Sequence, residues 1–250
     1  MDAPVRELVG HKDGVLCLAA SPHVGAPFVA SGSEDSTCRV WDLRTSRSVR
    51  CVTGVFDGEA VNAVCWHAGT VATTSVSGHL LYAAAGQRVF SFDLRRPDVV
   101  LMSADSVFEY NTDEVNCVVA HSGGQFLACG DDAGVVSVLD AAKGKLHASL
   151  TKHSNFVTSV AFQPRSRWGL ASGSFDHTLV FWDFVKGAAR HTHSAVGSSM
   201  TPPYVLSVAF SEDGQQLAST RADGSMGVYD TRSHNELVRT AVCSPQRKPL

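Results

Sequence analysis

The chain has 250 residues, 44% of them apolar and 18% charged, with a formal net charge of −3. That length suits one large all-β domain, and that charge provides no basic field to draw the chain to nucleic acid or an anionic membrane. Apolar stretches such as Leu80–Ala85 are strand-sized, far below the roughly 20 residues of a spanning helix, and Met1-Asp2-Ala3-Pro4 opens without a basic and apolar leader.

The first element is the β-rich run Val15-Leu16-Cys17-Leu18-Ala19. A Ser21-Pro22 turn follows, then the small-residue strand Val29-Ala30-Ser31-Gly32-Ser33, then a strand ending Trp41-Asp42. The same order recurs downstream. Val61–Cys65, Val115–Val119, Val157–Phe162 and Val205–Phe210 repeat the first run, and Phe92-Asp93, Leu139-Asp140, Trp182-Asp183 and Tyr229-Asp230 repeat the ending. The five aspartates are separated by 51, 47, 43 and 47 residues. Short β-branched strands, turn residues and a period of about 40 to 50 residues predict four-stranded antiparallel blades.

Seven cysteines, Cys17, Cys38, Cys51, Cys65, Cys117, Cys129 and Cys243, form no Cys-x-x-Cys pair. The odd count predicts reduced thiols, as found in cytoplasm and nucleus.

With Gly10-His11, Ser31-Gly32-Ser33-Glu34-Asp35 and Trp41-Asp42, the repeat resembles the WD40 repeat, and the resemblance runs along almost the whole chain. It implies an all-β WD40 β-propeller over residues 1–243, with repeats ending near 42, 93, 140, 183 and 230 and a non-repeat tail at 244–250. Closed propellers of this family usually have about seven blades, within roughly 4 to 8. Five blades either close tightly or belong to a ring lacking about two; the usual count favours the second as the expectation, and such an open ring would leave two apolar blade faces exposed. Val5-Arg6-Glu7-Leu8-Val9 is placed as the outer strand of a last blade.

The resemblance also implies a buried hydrogen-bonded tetrad. Two repeats carry it complete, His11, Ser31, Asp35, Trp41 and His153, Ser172, Asp176, Trp182, with Ser-to-Asp and Asp-to-Trp spacings of four and six in both. Repeat five keeps Ser219, Asp223 and Tyr229, repeat two has Tyr82 and Gly86 at the Ser and Asp positions, and repeat three has Ala133 in place of Asp. Recurrence argues for structure over catalysis, because a hydrolytic triad occurs once. No enzyme activity, cofactor, metal site or small-molecule substrate is expected.

An arginine stands two residues past the strand-end aspartate in Asp42-Leu43-Arg44, Asp93-Leu94-Arg95 and Asp230-Thr231-Arg232. This is similar to the box by which WD-repeat substrate receptors dock on the damaged-DNA-binding adaptor of cullin-RING ubiquitin ligases. The resemblance implies protein partners and a cytoplasmic or nuclear scaffold; a general WD-repeat scaffold without a ligase role is the alternative. His191-x-His193 is placed in a polar loop, Lys186–Pro203, and Arg165-Ser166-Arg167-Trp168 in a solvated turn.

Overall fold

The computed structural model describes residues 7–22, 27–67, 79–194, 203–233 and 236–242, the last segment as backbone. The expected tail, Cys243, Val5 and Arg6 lie outside the described residues, and Glu7, Leu8 and Val9, the described part of the expected outer strand, pair in no strand. Every element in the described residues is a strand.

The first sheet runs β1 (Val15–Ala20), β2 (Phe28–Ser33), β3 (Cys38–Asp42) and β4 (Arg47–Val52). The second is built from β5 (Val61–Trp66), β6 (Leu80–Ala85) and β7 (Arg88–Asp93). Two short strands follow it, β8 (Val100–Leu101) and β9 (Ser106–Phe108), of which only β9 completes the second sheet. Strand β8 turns back and pairs in parallel with β4, Cys51 opposite Val100, so the first sheet has five strands where the repeat predicts four. The third sheet orders β10 (Val115–Ala120), β11 (Phe126–Asp131), β12 (Val135–Asp140) and β13 (Lys145–Thr151). The fourth orders β14 (Val157–Phe162), β15 (Gly169–Ser174), β16 (Thr178–Asp183) and β17 (Ala188–Ser194). The fifth orders β18 (Val205–Phe210), β19 (Gln216–Arg221), β20 (Ser225–Asp230) and β21 (Glu236–Val242).

The histidine pair is therefore on a strand, not in a loop. In β17, His191 lies opposite Phe181 and His193 opposite Leu179. Both are half-buried while Arg190, Thr192 and Ser194 are exposed, the period of two that a strand requires.

The blades share their irregularities as well as their order. A bulge interrupts pairing near the start of the innermost strand between Val15 and Cys17, Val61 and Ala63, Val157 and Ser159, and Val205 and Ser207. A second sits on the outer pair at Val40/Trp41, Phe181/Trp182 and Val228/Tyr229. Bulges add twist and re-aim side chains, so a repeated bulge is a repeated instruction for how a blade turns.

The chain divides into two compact units, residues 1–127 with 140–145, and residues 128–139 with 146–250; the division runs through the third sheet. In the first unit, β1 and β2 pack on β5, and β10 packs on β5 and β6. Ala30, Val40 and Val52 of blade one meet Val61, Leu81 and Phe92 of blade two, and Phe56 packs edge-on against Phe90 at 5.1 Å. In the second unit, β14 and β15 pack on β18, joining Ala171, Leu179 and Phe181 to Val205, Leu217 and Tyr229.

Candidate functional site

Two side-chain networks and five strand-end turns concentrate the polar chemistry of the blades. In blade one the indole Nε1 of Trp41 donates to Ser31 Oγ at 2.8 Å, and Ser31 Oγ lies 2.7 Å from His11 Nε2. His11 Nδ1 lies 3.0 Å from Asp35 Oδ2, while Thr37 Oγ1 and the Lys12 amide donate to the same carboxylate. Blade four repeats this, with Trp182 to Ser172 at 2.7 Å, Ser172 to His153 Nε2 at 2.7 Å and His153 Nδ1 to Asp176 at 2.9 Å. An indole N–H can only donate, so the serine oxygen accepts and passes its own hydrogen to Nε2. That leaves the imidazole hydrogen on Nδ1, facing the carboxylate. The chain of donors runs from the tryptophan through serine and histidine to aspartate.

Serine, histidine and aspartate at these distances have the spacing of a nucleophilic triad, but the oxygen is placed for another task. Ser31 is 2% exposed and Ser172 fully buried, and each Oγ already accepts an indole N–H. Burial works to raise the carboxyls of Asp35 and Asp176. Hydrogen bonds override it, chiefly from Thr37, Lys12 and His11 in one case and from His153 and Thr178 in the other, and hold both carboxyls well below the ordinary carboxylate range.

The other blades vary the set. In blade two, Leu81 lies opposite Phe92 as Val29 lies opposite Trp41, so Ala83, not Tyr82, stands at the serine position. The β6–β7 hairpin is one residue shorter between these positions, which shifts the count made along the sequence. Tyr82 faces the other side of the sheet, where its hydroxyl lies 3.3 Å from His67 Nδ1. Blade three places Cys129 and Leu139 where blade four has Ser172 and Trp182. In blade five Arg221 donates to the Tyr229 hydroxyl at 2.9 Å, and the buried Ser219 Oγ has no hydrogen-bond partner. Ser219→Ala removes an unpaired buried hydroxyl and is expected to raise stability by up to about 1 kcal/mol. Ser172→Ala, at the same place in blade four, is expected to lower it, and urea unfolding of the two variants reads the opposite signs.

The strand-end aspartates each close a turn. Asp42 Oδ1 accepts the amide of Arg44 at 2.8 Å, Asp93 Oδ1 that of Arg95 at 3.0 Å, and Asp230 Oδ1 that of Arg232 at 2.8 Å. A short acidic side chain at the end of a strand caps the next amides in this way and stops the ladder. The guanidinium then folds back on the same aspartate. Arg95 does so through Nε at 3.0 Å and Nη2 at 2.5 Å, Arg232 through Nη2 at 3.0 Å, and Arg44 more loosely, with Nε at 3.7 Å. The hydrogen bonds from Arg95 and Arg232 lower the carboxyls of Asp93 and Asp230. The arginine side chains stay open to solvent, 69% exposed for Arg44, 42% for Arg95 and 66% for Arg232. Arg50 of β4 reaches the carbonyls of Leu94 and Arg96 and pins the Arg95 turn to blade one.

Blades three and four close the same turn one residue later, which a search for Asp-x-Arg passes over. Asp140 accepts the amide of Lys143 at 3.0 Å and its ammonium at 2.9 Å, and Asp183 accepts the amide of Lys186 at 3.0 Å. Among the described residues no group of three or more metal-ligating side chains converges, and no helix is long and apolar enough to cross a membrane. The six described cysteines are free. Burial pushes the thiol of Cys17 up to about 11 and that of Cys65 to about 12, so both stay protonated and pack as small apolar groups.

Comparison with known proteins agrees with this repeat. The family described as WD domain, G-beta repeat matches residues 2–42, 104–140, 144–183 and 193–230, well over half of the chain. The WD repeat-containing protein 53 homolog of Dictyostelium discoideum is 32% identical over 93% of this chain and 66% of its own length. Periodic tryptophan protein 2 of Arabidopsis thaliana is 28% identical over 89% of the chain, and the nuclear distribution protein PAC1 of Coccidioides posadasii 25% identical over 95%. The chain spans 22% and 62% of those two proteins, so it covers less than two thirds of the length of each of these relatives. On its repeats, its tetrads and these matches, the chain belongs to the WD40-repeat family of β-propeller proteins, which serve as protein-interaction scaffolds.

Proposed function

We propose that this scaffold is a substrate receptor that docks on the damaged-DNA-binding adaptor of a cullin-RING ubiquitin ligase, through Arg44 and Arg95 with Arg232 as a third contact. One observation carries the reading. In three blades an arginine is held at its root by the strand-end aspartate while its side chain remains largely exposed. An arginine anchored at its backbone in this way presents its side chain from a fixed root, and its planar fork suits carboxylates and carbonyls of a partner. An exposed pair of this kind adds little to fold stability, which makes binding the better use of the residue.

The test is affinity purification of the full chain from cells, followed by mass spectrometry. The wild-type chain is expected to recover the adaptor, the Arg44→Ala plus Arg95→Ala variant to lose it, and Lys143→Ala to keep it, all with the same thermal midpoint. Unchanged recovery from the double variant overturns the docking reading and leaves a general WD-repeat scaffold.

A further inference from the structure

Within the second unit a cavity of about 230 Å³ opens between blades four and five, where β14 passes to β15 and β16 to β17. Leu170, Phe181, Trp182 and Phe210 supply its apolar lining, Gln163, Ser166 and Thr231 a polar part, and the exposed Trp168 and Arg190 stand at the mouth. Gln163 keeps the two blades in place around it, its Nε2 donating to the carbonyl of Gly214 at 2.8 Å.

The two residues at the mouth are departures from the repeat. The carbonyl of Trp168 accepts the amide that follows the strand-end aspartate, a place taken in the other blades by Pro27, His79, Gln125 and Gln215. Only blade four puts an indole there, and it is 46% exposed. Arg190 is the extra residue of the outer bulge, since Trp182 lies opposite Ala189 and Phe181 opposite His191. In blade one the same bulge residue is Val49, which packs half-buried against the core. In blade four the bulge carries an exposed cation instead. Among the described residues no carboxylate pairs with Arg190, whereas Arg44, Arg95, Lys143 and Arg232 each lean on a strand-end aspartate.

Size narrows the occupant. Pockets for small molecules usually run about 300 to 1,000 Å³. A dry cavity of about 150 Å³ holds one benzene ring. A space between these limits, lined by aromatic and aliphatic groups together with Gln163, Ser166 and Thr231, takes a single side chain. Arg190 is the one charged residue lining it, so the chemistry beside that side chain is anionic.

We propose that this cavity anchors a protein partner through one aromatic side chain, with a neighbouring carboxylate of the same peptide engaged by Arg190 and its flank covered by Trp168. The site uses neither Arg44 nor Arg95, so its failure and the failure of the adaptor reading are separate results.

The test is titration of the full chain with an acetylated, amidated peptide Gly-Ser-Asp-Phe-Asp-Ser-Gly, followed by the indole N–H signals in 15N-labelled protein. The Trp168 signal is expected to shift saturably at millimolar or lower peptide. A peptide with Ala for Phe is expected to give no saturable shift, and one with Asn for both Asp to bind about tenfold more weakly. Arg190→Gln should remove that tenfold preference, and Trp168→Ala should weaken both peptides, with unchanged circular dichroism. A static Trp168 signal, an Arg190→Gln chain that still prefers the acidic peptide, or 3-phenylpropionate binding as tightly as the peptide would each overturn the proposal, the last by assigning the cavity to a free aromatic acid.

Discussion

Asp176→Ala is expected to lower the stability of the second unit by about 3 kcal/mol or more, because removing a charged hydrogen-bond partner strands the buried groups that faced it. The carboxylate receives His153 Nδ1 at 2.9 Å, the Ser154 amide at 3.1 Å, and the Thr178 amide and hydroxyl at 2.9 and 2.6 Å. Alanine abandons all four at once. Blade three shows how the position is filled without the network, with Cys129, Ala133 and Leu139 at the corresponding places. The triple replacement Ser172→Cys, Asp176→Ala, Trp182→Leu is therefore expected to cost less than the sum of its parts, since groups in one network do not add. Urea unfolding of the single and triple variants reads both effects.

The same carboxylates set a pH dependence with a definite sign. Asp35 and Asp176 have folded pKa values below the unfolded value of about 3.9. Their contribution is complete above about pH 4 and is lost as pH falls toward the folded values. Asp176→Ala removes one of the two groups, so stability of the variant should fall less steeply below about pH 4 than that of the wild type.

Gly32→Ala carries the second large effect, expected at about 3 kcal/mol, the upper end for overpacking. A Cβ there would lie 2.5 Å from the carbonyl oxygen of Val61 and 2.6 Å from Cys17 Sγ. The first of these is backbone of the next blade, which moves only if the blades part. Gly144→Ala makes the useful comparison. Its φ of +64° disfavours a side chain, yet nothing lies within 4 Å of the added carbon, so about 1 kcal/mol of backbone cost is expected alone. Chemical unfolding of the pair separates packing between blades from local conformation.

The repeat was legible because each blade must bury the same two faces, so small strand residues and the aromatic-Asp ending recur with it. The tetrads were legible from fixed spacings of four and six between Ser31, Asp35 and Trp41. Spacing misled where hairpin length changed, as at Tyr82, because a turn shortened by one residue moves every later position to the other face. The parallel return of β8 to β4 left no periodic trace, being a pairing between segments some fifty residues apart. Strand β17 was hidden by its polar side chains, since a strand on the outer edge of a blade is only half-buried. Arg190 was missed for a related reason: a bulge position is set by register, and register is not written in composition. The closure of blades three and four by Lys143 and Lys186 escaped because the chain reaches the same aspartate by a different step.

What remains distinctive about the strand ends is that the same turn is closed five times, and in blades one, two and five an exposed guanidinium is left beside it. Calorimetric titration of purified adaptor into the full chain and its Arg44→Ala plus Arg95→Ala variant is the most direct measurement of the docking account. It predicts saturable binding by the wild type, weakened by rising salt, and at least tenfold weaker binding by the variant. Equal affinity of the two chains, or no binding by the wild type, would contradict it.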